Sequence, residues 1–417
     1  MFRRLLVTLE KLTSSELRLA ATVLAVLAVS IGPAAWSEEH FDSNVQVHQA
    51  FAFLHGHMAL DRPIMDAVER DGQYFSIFPP FPALVLVPFV ALFGLGIKTL
   101  LLTPLLGALI ASQTLRLALK NRLEYDAARW VALAFSLGTA VWLCIRYPMD
   151  TYFAHCCAVV CTLAALNEVF GRQRGLLLGF GVGFAALSRQ FTALALPFFW
   201  LTLLLYPRDG RSRSVAFRSV LATLVGLAVS AGIYLLVNQA RFGSPLDSGY
   251  SRLLESEWYA YRMQRWGNLN LIYLPSNLIR MFLSGFSIQF SDPGRMIPSM
   301  ETSGTSLSFA SPFLFLALNG RIREARAVNV VGWLCVAAIC LAVLCHKSAL
   351  GGWQVNAVRY SLDFLPLLFV FLIRALRDGG EQTLSVFKWL VVYGVALNFA
   401  AFVLVPGLHG ALMHLPH

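Results

Sequence analysis

Apolar runs of about 17 to 25 residues recur along nearly the whole chain, separated by short connectors that hold its Lys and Arg residues. Each run is long enough to cross a hydrocarbon layer of about 30 Å as a helix, and a helix satisfies its own backbone groups in lipid. The pattern predicts an all-α polytopic membrane protein without a sizeable soluble domain, so residues 1–417 are read as a single integral-membrane domain. The first run, Leu17 to Trp36, follows Arg3, Arg4, Lys11 and Arg18, and Ala35-Trp36-Ser37 fits a small-x-small cleavage pattern. Its length exceeds the apolar core of a signal peptide and predicts a retained first span.

One run breaks the alternation of sides. If Phe81 to Leu95 crossed, every later basic connector would lie opposite the basic N-terminus. This run is short, contains Pro82 and Pro88, and starts directly after Pro79-Pro80. Read as a half-helix in the outer leaflet, it leaves about eleven spans. The connectors with Lys120, Arg122 and Arg129, with Arg172 and Arg174, with Arg208 to Arg218, with Arg321 to Arg326, and with Arg374 and Arg377 then join the N-terminus on the cytoplasmic side. Five connectors face outward: Ser37 to Lys98, Arg146 to Tyr152, the turn near Arg189, Arg241 to Ser308, and His346 to Arg359. Residues 37–98 form a first outer loop with surface helices. Residues 241–308 form a long outer loop, turn-rich from Arg241 to Tyr250 and suited to capping a cavity. No internal repeat of the kind that builds the paired halves of a transporter is visible.

Composition agrees: hydrophobic residues are 57%, charged residues 13%, and the mean hydropathy is +0.64, which excludes an ordinary soluble globule. A formal net charge of +10 would otherwise raise nucleic acid as a partner. The basic residues act as topology signals instead, so none is expected. Cys144, Cys156, Cys157, Cys161, Cys335, Cys340 and Cys345 lie within or at the edges of apolar runs without metal-type pairing and read as buried thiols. No metal site is assigned, and a requirement for a divalent cation stays open.

The chemistry concentrates in the outward connectors. Between Ser37 and Phe78, Glu38, Glu39, Asp42, Asp61, Asp66, Glu69 and Asp71 face only Arg62 and Arg70, which points to a general base or a cation site. Asp42 follows the first span closely. Partial desolvation there raises a carboxylate's pKa and suits it to taking a proton from a hydroxyl; a solvated loop acid is the plainer alternative. Val45 to Leu60 puts Val47, Ala50, Phe51, Leu54 and Met58 on one face and predicts an amphipathic helix at the membrane surface, with His48, His55 and His57 toward solvent or headgroups. The connector Arg146 to Tyr152, with Asp150, suits a sugar or a cation, or an aromatic belt with a paired Arg and Asp.

Arg189 interrupts the apolar stretch Leu176 to Leu205, where an unpaired cation costs at least ~2.5 kcal/mol at mid-span. It is therefore placed at a turn, either holding a phosphate or marking a helix boundary. Arg359, in Arg359-Tyr360-Ser361-Leu362-Asp363, opens the tenth span and suits bidentate contact with a phosphate, or an ion pair with Asp363 at i and i+4. Tyr250, Trp258, Tyr259, Tyr261 and Trp266 can stack on sugars or anchor at the interface.

In order along the chain, several features resemble the GT-C superfamily of integral-membrane glycosyltransferases that use polyprenyl-phosphate-linked sugars. They are the acid past the first span, the Val45 to Leu60 helix, Gln73-Tyr74-Phe75 with Phe78-Pro79-Pro80, Arg146 to Asp150, Leu187-Ser188-Arg189, Arg241 to Tyr250, and Arg359 to Pro366. The resemblance implies a hexosyl or pentosyl transfer, inverting, to a lipid, glycan or protein acceptor on the non-cytoplasmic face, and a bacterial inner membrane as its setting. It implies Asp42 as base, Asp150 as a second acid, and Arg146, Arg189, Tyr250 and Arg359 as substrate contacts, with Arg189 and Arg359 on the lipid phosphate. Two positions depart from the pattern. The familiar Asp-Glu pair is Asp42-Ser43, which leaves Glu38 and Glu39 open as bases, and the basic residue often found before the proline pair is Phe78. A transporter or lipid flippase, or an inactive GT-C-like subunit, are the rival expectations.

Overall fold

The computed structural model describes residues 8, 10–35, 44–147, 150–207, 212–253, 257–286, 288–292, 297–300, 304–347 and 358–408. The helices are α1 (Glu16–Ala35), α2 (Val45–Leu54), α3 (Phe81–Phe93), α4 (Thr103–Lys120), α5 (Tyr125–Leu137), α6 (Val141–Arg146), α7 (Asp150–Val169) and α8 (Gly175–Ala186). They continue as α9 (Leu196–Leu205), α10 (Arg213–Phe242), α11 (Glu257–Trp266), α12 (Leu274–Phe282), α13 (Leu307–Ala310), α14 (Arg326–Leu344), α15 (Leu365–Asp378) and α16 (Gly380–Phe399). Two small antiparallel hairpins, β1 (Ala67–Arg70) with β2 (Gln73–Ser76) and β3 (Ile288–Asp292) with β4 (Ile297–Met300), interrupt an otherwise all-α chain. Among the described residues, helices at Thr99–Lys120, Thr151–Val169, Arg213–Phe242, Arg326–Leu344 and Gly380–Leu408 are long and apolar enough to cross a membrane.

The half-helix expected after the proline pair is α3. Its 13 residues reach only about 20 Å at 1.5 Å per residue, short of a hydrocarbon core. α2 departs from expectation. It ends at Leu54 rather than Leu60, because Gly56 takes φ +74° and turns the chain out of the helix. His55 and His57 are exposed as expected, but Gln46, His48 and Gln49 are all buried, and His48 Nδ1 meets Asp61 Oδ1 at 2.5 Å. Beyond it, β1 and β2 turn at Asp71 (φ 54°) and Gly72 (φ 74°), the double positive φ of a type I′ hairpin.

Two packing relationships set the frame for the site. α15 is buried from Leu365 through Leu376, as a helix apolar on all sides must be, and it anchors the central core. α8 lies directly on α10 through small residues. A Cβ on Gly179 would come 2.3 Å from the Thr223 carbonyl oxygen, and one on Gly175 1.9 Å from that of Ser219. Close backbone approach of this kind is how helices associate in lipid, where apolar burial supplies little drive. The chain after α8 and the end of α10 carry two arginines of the site.

Candidate active site

Arg189 stands at the corner between α8 and the 3₁₀ turn Gln190–Ala195, as the sequence placed it. Its amide donates to the Ala185 carbonyl at 2.7 Å. Its guanidinium makes a bidentate pair with Asp363: Nε to Oδ1 at 3.1 Å and Nη2 to Oδ2 at 3.0 Å. Asp363 also meets His155 Nδ1 of α7 at 3.2 Å. The acid that spacing offered to Arg359 is thus taken by Arg189, and the i,i+4 alternative gives way to a contact across the fold.

Arg359 instead lays its guanidinium over aromatic rings. Its Cζ is 4.3 Å from the Tyr152 ring centroid and 4.9 Å from that of Tyr360, and Nη1 donates to the Tyr152 hydroxyl at 3.2 Å. Arg189 Cζ lies 4.8 Å from the same Tyr360 ring. Tyr360 therefore serves two cations, and His155 meets its ring edge-on at 5.4 Å. Two guanidiniums and a carboxylate thus converge on Tyr360 in a place where Arg359 and Asp363 are 7% and 3% exposed. Buried guanidiniums held by aromatic rings suit contact with an anion.

Tyr250 belongs to the same neighbourhood. It opens the 3₁₀ turn Tyr250–Arg252 after Gly249 (φ 76°); burial raises its phenol pKa, and the nearby Arg189 charge pulls the other way. Nearby, Asp247 accepts from Arg252 at 2.6 Å, which lowers its carboxyl. Arg146, at the end of α6, packs 5.1 Å over the Tyr147 ring, and among the described residues no hydrogen bond or ion pair joins it to Arg189 or Arg359. Asp42, Glu38 and Glu39 lie outside the described residues. Asp150 opens α7, and its side chain lies outside them as well.

The sequence reading missed Arg241 as a site residue. It sits in the last turn of α10, is 1% exposed, and donates Nη1 to the Phe78 carbonyl at 2.8 Å. Its Nε and Nη2 have no hydrogen-bond partner among the described residues. The turn it holds is the proline-led one, and the Phe81 amide at the head of α3 donates to the Leu187 carbonyl at 3.2 Å, two residues from Arg189. A guanidinium from a distant helix therefore stands at the turn where Phe78 brings no charge of its own. A basic residue closing a long span just before Gly243 was the signal available. His155 was likewise missed, because it reads as one more residue of an apolar helix, and Tyr152, although part of the Arg146 to Tyr152 connector, carried no sign of its contact with Arg359.

A solved structure, that of ArnT from Cupriavidus metallidurans bound to undecaprenyl phosphate, superposes on this chain with a TM-score of 0.53 at 15% sequence identity. The match covers 95% of this chain and 69% of that one. This chain has the GT-C fold. It is accordingly an integral membrane protein of all-α polytopic architecture. No family model and no curated protein sequence matches it.

Proposed function

We propose that the protein is an inverting glycosyltransferase that moves a sugar from a polyprenyl-phosphate donor to a lipid, glycan or protein acceptor on the non-cytoplasmic face of a bacterial inner membrane. The observation that carries this reading is the convergence of Arg189 and Arg359 on the Tyr360 ring beside Asp363. Fixed cations in a dry site stabilise the charge that grows on a departing phosphate and need no reorganisation as it forms. The likeness to a structure holding undecaprenyl phosphate supports the same donor class.

In this scheme Arg189 and Arg359 hold the lipid phosphate, Arg241 adds positive charge at the Phe78 turn, and Tyr250 closes the cavity over Arg189. Asp42 is the base toward the acceptor, with Glu38 and Glu39 as the competing acids. Asp150 and Arg146 belong to the acceptor side. The first loop, residues 37–98, and the long loop, residues 241–308, form the two walls above the membrane. The Arg241 geometry counts against an inactive subunit, since it supplies a cation where the sequence at Phe78 lacks one.

Mass spectrometry of lipid and glycan extracts from cells with and without the protein tests the reading. A sugar missing from one lipid, glycan or protein species is the expected result. Unchanged extracts, together with movement of polyprenyl phosphate across sealed vesicles by the purified protein, would overturn it in favour of a flippase.

A further inference from the structure

Gln46 and Gln49 of α2 are both fully buried, and neither the oxygen nor the nitrogen of either carboxamide has a hydrogen-bond partner among the described residues. Burying one amide unpaired is costly. Here two stand one turn apart on the same helix, a spacing that puts them on one face.

The neighbours of α2 define where that face looks. Val45 packs with Phe75, Ile77 and Phe78. Val47 and Ala50 pack with Phe153 and Cys157 of α7 and with Ala83 and Leu86 of α3. At about 100° per residue, Gln49 and Gln46 occupy the arc between the Val45 side and the Ala50 side. Their amides thus lie between the side of α2 that joins the Phe78 turn and the side that joins the cluster formed by α3 and α7. That turn is the one held by Arg241, and α7 is the helix that carries Tyr152 and His155. His48 fixes the rotation of α2 from another side through Asp61.

We infer that Gln46 and Gln49 bind the hydroxyl groups of a sugar. A primary amide donates two N–H bonds and accepts at its oxygen, so two amides one turn apart offer alternating donors and acceptors to neighbouring hydroxyls. They carry no charge, which separates their task from that of the arginines: the phosphate goes to the guanidiniums and the neutral polyol to the amides. The inference rests on the sugar-transfer reading above. Its ligand chemistry has two sources, the sugar carried by the lipid donor and the sugar of a glycan acceptor.

The test uses the full chain in lipid nanodiscs, as wild type and as Gln46→Met, Gln49→Met and the double variant. Each is titrated with bare undecaprenyl phosphate, with undecaprenyl phosphate carrying a hexose or a pentose, and with free methyl hexosides and pentosides. Met keeps the volume and removes an amide that bonds to nothing in the described protein, so melting temperatures should stay level or rise. Binding of bare undecaprenyl phosphate should be unchanged. Binding of one sugar-bearing ligand should fall about three- to tenfold per amide, the share of one ordinary hydrogen bond; loss in the lipid-linked set identifies the donor sugar, and loss in the free glycosides the acceptor. Variants that bind every sugar as the wild type does, or that lose bare undecaprenyl phosphate and the sugars to the same degree, overturn the inference, as does a wild type that binds no sugar in either set. Failure of bare undecaprenyl phosphate to bind the wild type overturns the donor reading instead, and the free glycosides then decide the amides on their own.

Discussion

Arg189 and Asp363 lie 174 residues apart in sequence and form a bidentate pair, with N to O distances of 3.1 and 3.0 Å. The pair ties the corner after α8 to the 3₁₀ turn Arg359–Asp363 that leads into α15, the most enclosed helix of the fold. Removing one partner of a buried pair strands the other charge and costs about 3–5 kcal/mol. Asp363→Asn is therefore expected to lower the melting temperature. Arg189→Gln, which leaves a carboxylate beside His155, should weaken binding of undecaprenyl phosphate more than tenfold. Thermal melting and lipid titration read the two effects separately.

Arg359→Lys keeps the charge and loses the planar fork that lies over Tyr152 and Tyr360. Lys is a poor substitute at a stacked guanidinium site, so donor affinity should drop about tenfold, matching a stacking and bidentate loss of one to two kcal/mol. Tyr152→Phe removes only the hydroxyl that accepts from Arg359 and should have a smaller effect. Equal affinity in Arg359→Lys and wild type would remove Arg359 from the phosphate site.

The base is decided by comparing Asp42→Asn with Glu38→Gln and Glu39→Gln. Asp42→Asn should reduce sugar transfer at least a hundredfold, the lower range for general-base catalysis, while donor binding and melting temperature hold. Transfer assays with radiolabelled lipid-linked sugar would show the loss following Glu38 or Glu39 if either of those acids is the base.

The α8 and α10 contact makes a paired prediction on stability. Gly179→Val forces a side chain into the Thr223 backbone 2.3 Å away and should destabilise by a few kcal/mol, about the cost of overpacking or more. Gly232, on α10, has nothing within 4 Å of an added Cβ. Gly232→Ala should be neutral or stabilising by up to about 1 kcal/mol, the helix-propensity gain. Melting temperatures of the two variants in the same detergent test the contrast.

Asp247 supplies a pH dependence. The hydrogen bond from Arg252 lowers its carboxyl pKa below the ordinary value of 3.8, so its contribution to stability is fully present above about pH 4 and is lost as the pH falls through the lower folded value. Arg252→Gln should therefore lower the melting temperature slightly at pH 7, flatten the acid limb below about pH 4, and match the wild type once the pH lies below the folded value. An unchanged acid limb would mean the pair contributes nothing.

Several features were legible because they are local. The short, proline-led run announced α3 as a half-helix, since helix length and proline chemistry need no partner. Arg189 was legible as a corner because an unpaired cation does not stay in mid-span. Asp71-Gly72 carried a type I′ hairpin signal as well, although alternation in the four-residue strands is too brief to separate from a loop. The burial of α2 was not legible. Its apolar face reads the same on a membrane surface and in a protein cleft, and only the neighbours supplied by α3 and α7 distinguish them.

By itself the sequence determined the solvent of this protein, the recurrence of long apolar helices, and which connectors hold arginines at helix mouths. Hydropathy and charge act residue by residue, and their sums survive without knowledge of contacts. Only the tertiary structure decided who pairs with whom. Asp363 faces Arg189 and His155 rather than its near neighbour Arg359, Arg241 reaches Phe78 from 163 residues away, and Gln46 and Gln49 are enclosed without partners. Hydrogen bonds and ion pairs act over a few ångströms, so their partners are set by how helices pack, which spacing along the chain does not specify.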